Sequence, residues 1–189
     1  MEIDNGYQFK NSVYLSIMKL NPVTEKFVLH WGEMGSQWGI NRTMSQIHAL
    51  LFIIGKPLNA EQITETLGVA RSNVSNSLKE LQHWGLVQKV SILGDRRDHF
   101  TTNTDVWELA RIIVIERQKR ELEPTVQFLQ ALIDSPEFEH ENSDVKARLR
   151  ETQAFVETVT TWSSEMLRLP SSVLKKILKL GSSIKKVLR

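Results

Sequence analysis

The chain of 189 residues contains no cysteine. That excludes a disulfide framework, thiolate metal sites and a cysteine nucleophile, and it suits a reducing compartment. Long apolar runs are missing too. The longest, Ala49 to Ile54, is far short of the roughly 20 residues a bilayer-spanning helix needs. The N-terminus begins with Glu2 and Asp4 rather than a basic stretch and has no apolar core, so no signal peptide is expected and the protein is expected to be cytoplasmic. There are no internal repeats and no low-complexity linker. His30, His48, His83, His99 and His140 show no metal-ligand spacing, no serine has a His/Asp partner motif, and Gly32-Glu33-Met34-Gly35 lacks the strand-to-helix context of a phosphate loop. No enzyme activity, metal or cofactor is expected.

A large excess of one charge is also lacking, for the net charge is only +2. The distribution is uneven, however. Residues 171–189 hold Lys175, Lys176, Lys179, Lys185, Lys186 and Arg189 and no acid, which leaves 18 basic against 22 acidic residues in 1–170, a net charge of −4. Any contact with nucleic acid must therefore come from a local patch.

The pattern along the chain is mainly helical. Pro22 to about Trp38 reads as a helix with Pro in its first turn, and its Gly32 and Gly35 imply close helix-to-helix contact. Val13–Leu20 is compatible with a short helix before it. A second helix is expected from Thr43, with Gln46 completing a capping box, to Ile54, stopped by Gly55 and Pro57. Asn59 caps a third, which ends at Gly68, and a fourth runs from about Arg71 to Trp84 with Val74, Leu78 and Leu81 inward. Leu86–Leu93, the turn Gly94–Arg97 and His99–Thr102 then form a hairpin. Three helices and a two-stranded hairpin in that order make a winged helix-turn-helix. After Asn103 the pattern is helical, with a break or kink at Pro124 and a long helix over about Ser143–Leu169 whose Val145, Leu149, Thr152, Val156, Val159, Ser163 and Met166 form a heptad seam. The expected organisation is an N-terminal segment and dimerisation helix (1–42), a winged-helix domain (43–103), a helical dimerisation arm (104–170) and a basic amphipathic tail (171–189).

The polar face of the fourth helix presents Arg71, Ser72, Asn73, Ser75, Asn76 and Lys79, with Glu80 expected on the side turned to the protein. Asn pairs bidentately with adenine and Arg with guanine, while Ser lets a helix approach the major groove closely. In the hairpin, Asp95 is placed to orient Arg97 towards a minor groove, with Arg96 and Lys89 reaching the phosphate backbone. The same charges on a protein-binding winged helix are the plainer alternative. Double-stranded DNA is the preferred partner.

Residues 22–136 resemble MarR-type regulators, and within that group the GbsR-like branch. The resemblance rests on Gly32–Gly39, Asn41-Arg42-Thr43, Gly55-Lys56-Pro57-Leu58, Ser72-Asn73-Val74-Ser75, Leu78–Leu86 and Gly94-Asp95-Arg96-Arg97. It implies a homodimer joined through helices at both chain ends, binding a pseudo-palindromic operator and regulating transcription, usually as a repressor relieved by a small-molecule effector. Where many such regulators have Ser, this chain has Ala70, so the start of the fourth helix lacks its usual cap.

Two features have competing readings. Trp31 and Trp38, seven apart on one helix face, are either interface packing beside the glycines, which is preferred, or part of an aromatic ligand site. Trp84 is read as core, and Trp107 and Trp162 as packing on the dimerisation helices. In the tail, Val173, Leu174, Ile177, Leu178, Ile184, Val187 and Leu188 recur at helical spacing between lysines, with Gly181-Ser182-Ser183 as a hinge. Such a segment suits docking on the dimer, DNA phosphate or an anionic membrane. A winged-helix scaffold anchored by this tail is the alternative to a DNA-binding regulator.

Overall fold

The computed structural model describes residues 19–187, with side chains as far as Leu180. The short helix anticipated at Val13–Leu20 falls almost wholly outside them. The chain divides into two compact units, one ending at Thr104 and the other starting at Asp105.

In the first unit, α1 (Pro22–Gln37) begins where Asn21 Oδ1 accepts from the backbone N–H groups of Val23 and Thr24, at 3.1 and 2.9 Å. It packs against α2 (Arg42–Ile54). The two glycines make that contact possible: a Cβ on Gly32 would lie 2.5 Å from Gln46 Cγ, and one on Gly35 2.0 Å from Ser45 Oγ. The cap of α2 is Asn41, whose Oδ1 accepts from Met44 N at 3.2 Å, rather than the anticipated Thr43. Gln46 consequently makes no capping box and is buried beside Gly32.

The strand β1 (Leu58–Asn59) leads into α3 (Ala60–Leu67). Here the capping box is complete, with Asn59 Oδ1 accepting from Gln62 N at 2.9 Å and Gln62 Oε1 from Asn59 N at 3.0 Å. Gly68, at φ +63°, closes α3 in the left-handed conformation that favours glycine. Then α4 (Arg71–His83) crosses the core. Ile47, Leu50, Leu51, Ile63, Val74 and Leu81 are almost wholly shielded from solvent, and Trp84 joins them at 7% exposure. The hairpin of β2 (Val87–Ile92) and β3 (Asp95–Thr102) is antiparallel, and β1 pairs with the far side of β3 to give the order β1-β3-β2. Two-residue β1 has no periodicity of its own, and the sequence reading missed it.

In the second unit, Asp105 caps α5 (Val106–Arg117). The helix does not break before Pro124. It widens into a π turn over Gln118–Leu122, where the N–H of Glu123 reaches the carbonyl of Gln118, and then continues as α6 (Glu123–Ile133). Proline has no N–H to return and its ring crowds the preceding turn, and the wider turn sits just where an α-helical turn would clash. Gln118 is buried, its Nε2 donating to Ser164 Oγ at 2.6 Å and its Oε1 accepting from Ser163 Oγ at 3.1 Å. A four-residue helix α7 (Pro136–Glu139) turns the chain into α8 (Ser143–Arg168), which packs along α6. Leu169, held extended by Pro170, ends α8. Arg111 donates from Nη1 to Leu167 O at 2.6 Å and from Nη2 to Leu169 O at 2.7 Å, satisfying carbonyls that the helix end leaves unpaired.

The anticipated seam of α8 is divided between two faces. Leu149, Val156 and Ser163 are half-buried, whereas Val145, Thr152 and Val159 are exposed beside Phe155 and Trp162. The tail forms α9 (Ser171–Val187), which runs unbroken through the expected hinge at Gly181–Ser183. Lys175 Nζ lies 5.0 Å from the Trp107 ring centroid. Among the described residues no helix is long and apolar enough to cross a membrane.

Candidate nucleic-acid interface

Burial of Val74, Ser77, Leu78 and Leu81 fixes which side of α4 faces the core. The opposite side leaves Arg71, Ser72, Asn73, Ser75, Asn76 and Lys79 all exposed. Glu80 is exposed as well, not turned into the protein as anticipated, because at about 100° per residue it falls between Asn73 and Asn76 on the polar face. Ala70 occupies the N-cap in an extended conformation with no side-chain hydrogen bond, and Ser72 does not shift the start.

Across from α4 stands the wing. Asp95 and Arg97 belong to β3 itself, not to the turn, and the strand period of two sets them on one face. The Asp95 carboxylate accepts from Arg97 Nε at 2.9 Å, from Nη2 at 2.6 Å and from the Arg97 backbone N–H at 3.0 Å. This two-nitrogen, charge-assisted grip holds the Asp95 carboxyl well below the usual carboxylate range and raises the Arg97 guanidinium above its own. His99 supports the arrangement from below. It is buried, its Nδ1 donates to the Arg97 carbonyl at 3.0 Å, and its Nε2 lies 3.6 Å from Asp95 Oδ2.

A cleft of about 510 Å³ lies between α4 and the wing. Of the residues anticipated for DNA contact, it brings together Arg71, Ser75, Lys79, Lys89 and Arg97. Ser72, Asn73, Asn76 and Arg96 are exposed outside its lining. Four polar members of the lining are not among the residues anticipated for DNA contact: Asn59, Glu61, Gln82 and Asp98. Glu61 Oε2 stands 3.4 Å from Arg97 Nη1, and Asp98 Oδ2 stands 2.8 Å from Lys89 Nζ. Glu61 is in the first turn of α3, where a helix dipole alone accounts for an acid. Its link to a residue 36 positions away leaves no local trace in sequence.

Residues 38–98 match the MarR family. The MarR match runs from the end of α1 through α2, β1, α3, α4 and β2 into the first residues of β3, so it takes in the whole α4 face and the Asp95–Arg97 pair. No curated protein matches the sequence. Among solved structures, one described as a transcriptional regulator is similar in fold, with a TM-score of 0.61 and 16% identity, covering 77% of this chain and 96% of its own. A Staphylococcus aureus MepR–DNA complex is similar at a TM-score of 0.35 and 18% identity, covering 82% of this chain and 99% of its own. The MarR match thus bears on the three-helix core and the wing, and the first solved structure on the fold of most of the chain.

Trp31 and Trp38 lie away from this cleft, on and just after α1. Their rings meet edge to face with centroids 6.2 Å apart, and Phe27 stacks on Trp31 at 5.5 Å. The two indoles touch, leaving no gap between them for a third group.

Proposed function

We propose that this protein is a sequence-specific, double-stranded-DNA-binding transcriptional regulator that acts as a homodimer on a pseudo-palindromic operator, as a repressor. The observation that carries the reading is the pairing of two surfaces around one cleft. One is a helix whose outward face is made of Arg, Ser, Asn and Lys, and the other is a wing whose arginine is held in place by a carboxylate. The helix is suited to base edges in a major groove, and the wing to the flanking backbone and minor groove. Asn73 and Asn76, outside the cleft lining, are assigned to the bases, and Lys79, Lys89 and Arg96 to phosphates.

The dimer rests on the second unit. No residue of the 26-residue α8 is buried within one chain, and Thr152, Phe155, Val159, Trp162 and Met166 repeat at spacings of three and four along it. Phe155 and Trp162 are 67% and 62% exposed, too much apolar surface for a helix facing water alone. A second copy is the partner this reading assigns to that face. The Gly32–Gly39 segment, whose glycines seat α1 on α2, supports placement in the GbsR-like branch. The reading includes a cytoplasmic location and no catalytic role.

The test is selection of bound sequences from a random duplex pool at near-physiological salt. A palindromic motif whose half-site centres lie about one helical turn apart, lost in Asn73→Ala and Arg97→Ala, is the expected result. Salt-sensitive binding that enriches no motif would sink the reading.

A further inference from the structure

The guanidinium of Arg97 carries five N–H groups in a fixed fork, one on Nε and two on each terminal nitrogen. Asp95 occupies the edge formed by Nε and the near side of Nη2. What remains for any other acceptor is the far end, mainly Nη1, and there stands the Glu61 carboxylate, 3.4 Å from Nη1. Glu61 and Arg97 both line the cleft between α4 and the wing, with side chains about half-exposed at 51% and 45%. A phosphate or base edge reaching Arg97 while Asp95 keeps its grip is left with three N–H groups, two of them on the Nη1 that Glu61 faces. It must also come up against the negative charge of Glu61.

We infer that Glu61 is an intramolecular competitor of DNA for Arg97: it occupies the free end of the guanidinium in the unbound protein and is displaced when DNA engages the wing. Asp95 and Glu61 thus have opposite roles on one side chain. Asp95 orients Arg97 and stays with it, whereas Glu61 lowers its availability and so restrains binding that depends on the wing. The contact joins the first turn of α3 to β3, so its loss on binding removes one tie between the wing and the three-helix core while the β1–β3 pairing remains. This inference rests on the DNA-binding reading and names a residue that reading left out.

The experiment is a double-mutant cycle in the full chain. It uses a duplex that the wild-type protein selects from a random pool, with affinities measured at one salt concentration for wild type, Glu61→Gln, Arg97→Ala and the double variant. Glutamine keeps the size of the side chain and removes its charge. Exposed ion pairs contribute little, so Glu61→Gln is expected to tighten binding about two- to fivefold when Arg97 is present and to leave affinity unchanged when it is alanine. The same gain in both backgrounds would overturn the inference, because Glu61 would then repel phosphate without acting through Arg97. No gain would overturn it as well, and weaker binding in Glu61→Gln would make Glu61 a positioning partner instead. A wild-type protein that binds no duplex at all would remove the DNA-binding reading itself, an outcome distinct from the other three.

Discussion

The Nε2 of His48, in α2, lies 3.2 Å from Oγ1 of Thr102, the last residue of the wing, joining positions 54 apart in sequence. The Thr102 hydroxyl has a single proton, which it donates to the Leu86 carbonyl at 2.6 Å. His48 must therefore be the donor, as a neutral imidazole protonated on Nε2. Burial pushes its pKa down from 6.5 to about 4.

A stability change with pH follows. The folded state resists protonation of His48 and the unfolded state does not, so the associated stability is complete above about pH 6.5. It is lost as the pH falls towards 4. At about 1.4 kcal/mol per unit the loss is on the order of 3 kcal/mol. Denaturant unfolding of wild type and His48→Gln at pH 7, 5.5 and 4.5 checks it. The gap between the two should narrow steadily with acid, and parallel curves would remove His48 as the cause.

Gly35→Ala sets two effects against each other. Alanine gains roughly 1 kcal/mol in helix propensity, but its Cβ would lie 2.0 Å from Ser45 Oγ and 2.6 Å from Ser45 Cβ. Forcing the helices apart costs roughly 1–3 kcal/mol, so the clash is expected to win. Thermal melting should show a lower Tm, restored in part by adding Ser45→Gly.

Ala70→Ser should do the reverse. The N-cap of α4 is extended and lacks a side-chain acceptor, and a serine there is worth roughly 1 kcal/mol. The variant should melt later than wild type while retaining its DNA affinity. An unchanged Tm would mean that water already satisfies the first turn as well as a hydroxyl does.

Trp162→Glu is expected to weaken the homodimer. Buried aromatic anchors cost roughly 2 kcal/mol or more when lost, about a 30-fold rise in the dissociation constant. Sedimentation equilibrium reads this directly. A variant that stays dimeric to the same dilution as wild type would move the interface off this face of α8.

The sequence exposed most of what is periodic and little of what is remote. Val74, Leu78 and Leu81 announced α4 and, by exclusion, its polar face. Gly32 and Gly35 announced a close helix-to-helix contact of α1, and Asn59 the start of α3. Caps with rival candidates were harder: Asn41 and Thr43 both suit an N-terminus, and two residues of spacing decide between them. The seam of α8 was read as one stripe because Leu149–Val156–Ser163 and Thr152–Val159–Met166 interleave at heptad spacing. Only packing against α6 and the π turn shows that the first set faces inward. The contacts of Glu61 with Arg97 and of Asp98 with Lys89 are side-chain encounters across the fold, for which composition and spacing carry no signal.

The π turn at Gln118–Leu122 acts as a phase shifter. Each residue of an α-helix advances the side chains by about 100°, so one residue absorbed in a wider turn rotates everything downstream by that angle relative to a regular helix. Leu129 is the buried position of α6, and it faces inward in the phase this turn sets. Straightening the turn with all its residues kept would swing Leu129 out by that angle, whereas losing the turn together with one residue would leave Leu129 facing inward. The turn is therefore a spacing element in its own right, one whose value lies in the count of its residues more than in what they are.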